Sequence, residues 1–307
     1  MADITASMVK ELRDRTQAGM SDCKNALVEA AGDLDKAVEI ILKKGIVKAA
    51  SRAGRVATEG EVRTQVDNGG KRGLIVEVNC QTDFVARGDE FKNFVTEVLK
   101  VASTQKKGTD LNTATMPSGK TVDVARQEMV AKTGENTVVR RWDVLEAKAA
   151  GGIVHAYIHM GGKLAVLIHA EAPNADAAKS KDFTTFVDNC AMQIAAMSPI
   201  VVDKSKVDAG TIAKQKEIFA AQLKEEGKPE AAWPKIVEGK VAKWFTEVTL
   251  MGQESVTDPG NTIEKLTAEL GKKLGGNVTL HEFVRFGLGE GIEKKSDDLA
   301  EEVAKLM

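Results

Sequence analysis

Three absences narrow the chain before any motif is read. A charge excess is missing: 43 Lys and Arg stand against 45 Asp and Glu, a net charge of −2 over 307 residues. Dedicated nucleic-acid binders carry a clear basic excess, and aromatics at 4%, with one Tyr, leave few platforms for stacking bases. Direct nucleic-acid binding is not expected. No apolar run approaches the roughly 20 residues that cross a bilayer, and Met1-Ala2-Asp3-Ile4-Thr5 has neither the basic start nor the apolar stretch of a secretory signal. Three widely spaced cysteines, Cys23, Cys80 and Cys190, form no CxxC pair and no disulfide framework. A cytoplasmic, reducing setting is expected, with no membrane partner. What remains is an ordinary globular balance, 43% apolar and 29% charged, in a chain long enough for two or three domains.

The first stretch reads as three short helices. Thr5 or Ser7 can cap one carrying Met8, Val9 and Leu12; Ser21 can cap a second that stops at Gly32; Asp33 can cap a third with Leu34, Ala37, Val38, Ile41 and Leu42. Lys43 and Lys44 before Gly45 predict the end of the third helix, cations at its negative end and glycine as the left-handed cap. Ala49 to Arg55 then reads as a small, basic linker. A bundle of about 45 residues sits near the lower limit of independent folding, so it is expected to dock on something.

Beyond it the chain repeats itself. Gly69-Gly70-Lys71 recurs as Gly161-Gly162-Lys163, a shift of 161 − 69 = 92. At that shift Gly60 matches Gly152, Val62 matches Val154, Phe91 matches Phe183, Phe94 matches Phe186 and Val95 matches Val187. Each copy reads as strand, glycine turn, strand and amphipathic helix. Further on Gly134-Glu135-Asn136 resembles Gly275-Gly276-Asn277 at 275 − 134 = 141, so the second copy holds 141 − 92 = 49 additional residues. That insertion, around 199–255, carries Ile212, Phe219 and Leu223, a break at Lys228-Pro229, then Val237, Val241, Trp244 and Val248 at helical spacing. It predicts a helical hairpin, its apolar stripe packed between its own arms or against another chain. Each copy closes on a third strand, Thr137–Trp142 and Val278–Phe283. The tail from Glu290 to Met307, with Ile292, Leu299, Val303 and Leu306, suits a last amphipathic helix.

No catalytic pattern assembles in the sequence. Ser118-Gly119-Lys120-Thr121 is half a phosphate loop, with Ala114 where the first glycine belongs and no preceding strand. Gly287-Leu288-Gly289-Glu290-Gly291 has no βαβ context and reads as a turn. His155, Tyr157 and His159 share a strand face, but sequence supplies no third ligand, so exposed polar positions are the expectation. Cys80 reads as buried packing.

The two copies differ most at Thr82-Asp83-Phe84-Val85, which align with Asn174-Ala175-Asp176-Ala177. Pattern allows two outcomes. Phe84 tucks under the following helix with Asp83 as its cap, or an acid–aromatic pair projects from a rigid frame into a partner's pocket.

Val78-Asn79-Cys80-Gln81-Thr82-Asp83-Phe84-Val85-Ala86-Arg87 resembles the signature of the elongation factor Ts family, the bacterial guanine-nucleotide exchange factors for elongation factor Tu. Nearly the whole chain follows: Thr5-Ala6-Ser7 with Val9-Lys10-Glu11-Leu12-Arg13, Ala18-Gly19-Met20 with Asp22-Cys23-Lys24, Gly134-Glu135-Asn136 with Arg140-Arg141, Tyr157-Ile158-His159, and Arg285-Phe286 with Gly289-Glu290-Gly291. The pattern departs at Ser21, where a second Met is common, and at Thr133, where Ile is usual.

The resemblance implies an α+β fold: a three-helix ubiquitin-associated-like domain (1–54), core subdomains with small antiparallel sheets (55–148, then 149–198 with 256–286), an inserted hairpin (199–255) and a C-terminal helical module (287–307). It also implies that Thr82, Asp83, Phe84 and Val85 approach the nucleotide site of elongation factor Tu and dislocate its magnesium, so that GDP leaves and GTP rebinds. Arg13, Met20, Gly134, Glu135, Asn136 and His159 would be further partner contacts. The hairpin would suit a homodimer or a 2:2 complex, and no cofactor, metal or covalent step is implied. A scaffold without exchange activity and a small-molecule enzyme are the other classes left open.

Overall fold

The computed structural model describes residues 4–16, 18–67 and 69–293. The expected tail helix lies almost wholly outside them. Among the described residues the fold is α+β, with eleven α-helices and two three-stranded antiparallel sheets. Packing divides them into two units. One takes the residues up to Arg63, Val76–Trp142 and those from Gly287; the other takes Thr64–Ile75 and Asp143–Phe286.

In the first unit, α1 (Ala6–Thr16), α2 (Met20–Glu29) and α3 (Leu34–Arg52) enclose Val9, Leu12, Cys23, Ala26, Leu27 and Ala37. Thr5 Oγ1 accepts the Met8 N–H (3.3 Å), and Asp33 Oδ1 accepts the N–H groups of Asp35 and Lys36, as their positions before apolar periods predict. Ser21 does not cap α2: the helix starts one residue earlier, after Gly19, which makes no side-chain cap bond. The third helix corrects a larger expectation. It runs through Gly45 to Arg52, so most of the predicted linker is helix. A β-carbon on Gly45 would stand 3.0 Å from Ala131 Cβ on α6 (Val122–Thr133). The glycine permits close helix–helix approach, and that packing outweighs the roughly 1 kcal/mol that glycine costs inside a helix. Gly45→Val is expected to lower urea-unfolding stability by about 1–3 kcal/mol through overpacking; unchanged stability would mean α3 and α6 do not meet there.

The duplication is visible element by element. β1 (Glu59–Asp67) and β2 (Arg72–Cys80) are followed by α4 (Asp83–Arg87), α5 (Asp89–Ser103), α6 and β3 (Thr137–Glu146). The second copy runs β4 (Gly152–His159), β5 (Leu164–Glu171), α7 (Ala175–Ala178), α8 (Lys181–Met197), α9 (Ala209–Glu225), α10 (Trp233–Val248), α11 (Ile263–Leu274) and β6 (Thr279–Gly287). Adding 92 takes Asp89, the start of α5, to 181, the start of α8; adding 141 takes the α6 limits, 122 and 133, to 263 and 274, the α11 limits. Caps repeat as well. Thr121 and Thr262 each accept a backbone N–H three residues on, and Gly134 and Gly275 end their helices at φ 77° and 76°. A left-handed residue there costs glycine nothing.

In the second unit α8 lies on β4 and β5, where Phe183, Val187, Cys190 and Ile194 meet Val166, Ile168, Leu250, Ile263 and Leu280. β4 and β5 pair antiparallel, Gly152 opposite Glu171 through His159 opposite Leu164. The hairpin arms α9 and α10 pack on each other, burying Leu223 and Val241, and the Lys240 ammonium stands 5.7 Å from the Phe219 ring centre. Of the two expectations for this stripe, the structure shows the self-packed one. Buried Gln193 holds the root of the insertion, donating to Gln253 Oε1 (3.0 Å) and accepting the Val256 N–H (2.8 Å).

Candidate functional site

The first copy's turn starts where β2, buried nearly throughout, ends at Cys80. Thr82 is extended (φ −121°) and caps the five-residue α4, its Oγ1 accepting the Val85 N–H at 3.4 Å. The same hydroxyl donates to Glu135 Oε1 (2.7 Å) while the Thr82 N–H donates to Glu135 Oε2 (3.0 Å). Two donors of one residue thus meet one carboxylate, a charge-assisted pairing stronger than neutral hydrogen bonds. Buried Cys80 donates its thiol to the Thr82 carbonyl (3.2 Å), so it packs and anchors the turn.

From this clamp the side chains fan out. Asp83 is half-buried and pairs with Arg87 one turn on (2.9 Å); Ala86 faces inward; Phe84 is 85% exposed. The tucked alternative is therefore excluded, and the cap is Thr82 rather than Asp83. A phenyl ring left in water forgoes roughly 2 kcal/mol of burial.

Gly134, Glu135 and Asn136 build the other side of the turn. Gly134 closes α6 with its N–H on the Val130 carbonyl (2.9 Å), which sends the chain back toward Thr82. The Glu135 N–H donates to Thr133 Oγ1 (3.3 Å), so the residue that departs from the family pattern holds this loop through its hydroxyl. Asn136 is buried; its N–H donates to Gln81 Oε1 (3.1 Å), and its Nδ2 donates to the carbonyls of Ala53 (3.3 Å) and Arg55 (2.8 Å).

The strand that leads into the turn carries a buried charge. Glu77 is fully buried in β2 and accepts from Arg140 Nη1 (2.9 Å), Arg141 Nε (2.5 Å), the Gly289 N–H (2.8 Å) and Asn79 Nδ2 (3.1 Å). Burial pushes its carboxyl upward, but the Gly289 amide and two guanidinium donors outweigh that and hold it below the usual carboxylate range. A Glu amid Leu74-Ile75-Val76 and Val78, with Arg140-Arg141 on the closing strand, was the available signal. The glycine run at 287–291 is a turn, as expected, and its Gly289 (φ 68°) comes so close to Thr58 that a β-carbon would lie 2.7 Å from the Thr58 carbonyl oxygen.

The remaining candidates lie on other elements. Arg13 on α1 and Met20 at the start of α2 are exposed on the helical bundle, Met20 by 56%. His159 ends β4 in the other unit, its Nδ1 3.0 Å from the Tyr157 hydroxyl, beside exposed Ile158 and 75%-exposed Met160. His155 meets Asp188 of α8 (2.8 Å), a partner that sequence distance had hidden. Among the described residues no three His, Cys, Asp or Glu side chains group to hold a metal ion. In the half phosphate loop, Thr121 caps α6 and Lys120 pairs with Glu128.

The structure is thus a duplicated α+β core, interrupted in its second copy by a helical hairpin and carrying on its first a clamped turn with an outward aromatic. The family model described as "Elongation factor TS" matches residues 81–290. Curated relatives named elongation factor Ts include that of Clostridium perfringens (strain SM101 / Type A), 44% identical over 305 residues and 99% of both chains. That of Symbiobacterium thermophilum is 45% identical over 305 residues, 99% of this chain and 98% of its own. That of Methylococcus capsulatus (Bath) is 45% identical over 302 residues, 98% and 97%. The chain belongs to the elongation factor Ts family, and so to the translation elongation factors.

Proposed function

We propose that this chain binds elongation factor Tu in its GDP-bound form and drives GDP off, leaving a nucleotide-free complex that GTP resolves. Thr82 to Val85 would enter the partner's nucleotide site. Phe84 would wedge between side chains there, and Asp83 would compete for main-chain amides around the magnesium shell, so the ion loses coordination and the phosphates lose their grip. Arg13 and Met20 would hold the partner's nucleotide domain, and His159, with Ile158 and Met160, would meet another of its domains. No covalent step is needed. The factor and the nucleotide each weaken the other's binding, and a coupling of about 3 kcal/mol already shifts affinity roughly 150-fold.

The observation that carries this reading is the 85% exposure of Phe84 on a turn whose backbone is clamped. An exposed aromatic on a mobile loop would lose rotamer and backbone entropy on insertion; a clamped one has already lost it. Release of fluorescent GDP from elongation factor Tu should accelerate when this protein is added, in proportion to its concentration until saturation. Stable binding with an unaltered release rate would favour the scaffold reading instead.

A further inference from the structure

We infer that Glu135 is a positioning residue for the Thr82–Val85 tip, acting through Thr82 rather than by touching the partner; the inference rests on the function proposed above. Both Glu135 oxygens are taken by Thr82, one by its N–H (3.0 Å) and one by its hydroxyl (2.7 Å). Because the hydroxyl proton points to Glu135, the same oxygen keeps lone pairs for the Val85 N–H. The carboxylate therefore sets the direction in which α4 leaves Thr82, and with it the direction of Phe84.

The second copy shows the same turn without the clamp. Position 82 + 92 = 174 is Asn174, whose Oδ1 alone accepts the N–H groups of Asp176 (3.1 Å) and Ala177 (2.9 Å). Position 135 + 141 = 276 is Gly276, where a β-carbon would lie 2.7 Å from Pro173 Cβ. Pro173 in turn corresponds to Gln81, 81 + 92 = 173, which in the first copy accepts the Asn136 N–H. Clamp and aromatic are present together in one copy and replaced together in the other, where a self-capped turn bears Asp176 in the place of Phe84. A structural brace needed by the fold itself would be required in both copies. This one accompanies the tip.

The test is a cycle of variants read by GDP release from elongation factor Tu, with the factor's concentration varied. Glu135→Ala is expected to lower the maximal release rate about tenfold while changing the half-saturating concentration less than about threefold. In a Phe84→Ala background the same change should cost less than about twofold, since a tip without its ring gains little from being aimed. Glu135→Gln keeps an acceptor for the Thr82 N–H and should fall between wild type and Glu135→Ala, whereas a carboxylate acting on the partner by charge would lose as much with Gln as with Ala. Hydrogen exchange at the Val85 and Ala86 amides of the free protein should quicken in Glu135→Ala and only partly in Glu135→Gln. Equal losses from Glu135→Ala with and without Phe84, or unchanged amide exchange, would overturn the positioning role. If Phe84→Ala itself leaves release untouched, the failure belongs to the tip reading. Should Glu135→Ala fail to fold, Glu135→Gln carries the same comparison.

Discussion

Phe84→Ala is expected to slow stimulated GDP release from elongation factor Tu roughly thirtyfold or more, while circular dichroism and unfolding midpoint stay at wild-type values. The size follows from hot-spot energetics: removing a buried aromatic anchor from an interface costs about 2–4 kcal/mol, and 1.4 kcal/mol is a factor of ten. Stability should be indifferent because the ring is 85% exposed and supports nothing in the free protein. That separation of effects is unusual for phenylalanine, which is normally a core residue. Phe91→Ala gives the contrast. Its ring is buried to 1% exposure in α5, and its loss should cost about 3–5 kcal/mol of stability. Release by Phe84→Ala at the wild-type rate would remove the wedge from the mechanism. Loss of binding without loss of maximal rate would make Phe84 an anchor rather than a wedge.

Glu77→Ala should destabilise the first unit by about 2–3 kcal/mol, measured by urea unfolding at pH 7, because Arg140 and Arg141 lose a charged acceptor and the Gly289 amide loses its partner. The estimate stays below that for a wholly buried pair, since both guanidiniums are partly exposed. The pH dependence has a definite sign. A carboxyl held below its ordinary value of 4.5 contributes stability that is complete above that value and is lost as pH falls through the native one. Wild-type stability should therefore drop on acidification below about pH 4.5, and Glu77→Gln should show a shallower drop in that window. Parallel acid profiles for the two proteins would mean that Glu77 is not the group responsible. The same cluster ties β2, the strand that leads to the tip, to β3 and to the 287–291 turn, so a slower exchange rate in Glu77→Ala would follow from lost rigidity.

Much of the core was legible because duplication leaves two imprints of one set of physical demands. Phe91 and Phe183, or Gly134 and Gly275, recur because the same helix face must be apolar and the same cap must be left-handed. Shifts of 92 and 141 consequently relate the helix starts of the two copies. Gly45 was misread for a converse reason. Cations followed by glycine form a local stop signal, and only Ala131, far along the chain, supplies the contact that carries α3 past it. Ser21 failed likewise as a cap, since any Ser near a helix start satisfies the pattern while backbone geometry selects one position. Asp188 beside His155 and Glu77 beneath Arg140 and Arg141 were hidden because ion pairs across elements leave no periodic trace.

For the Thr82–Val85 tip the division is sharp. By itself the sequence determined that this segment differs between the copies and that an acid and an aromatic sit side by side after a strand, because composition and register are written along the chain. Whether Phe84 faced in or out was open, since both outcomes satisfy the same local pattern. Only the tertiary structure decided it: Glu135, 53 positions away, takes both Thr82 donors, and the Phe84 ring stands in solvent. Hydrogen-bond geometry between distant segments is set by packing, and packing is not periodic in one dimension.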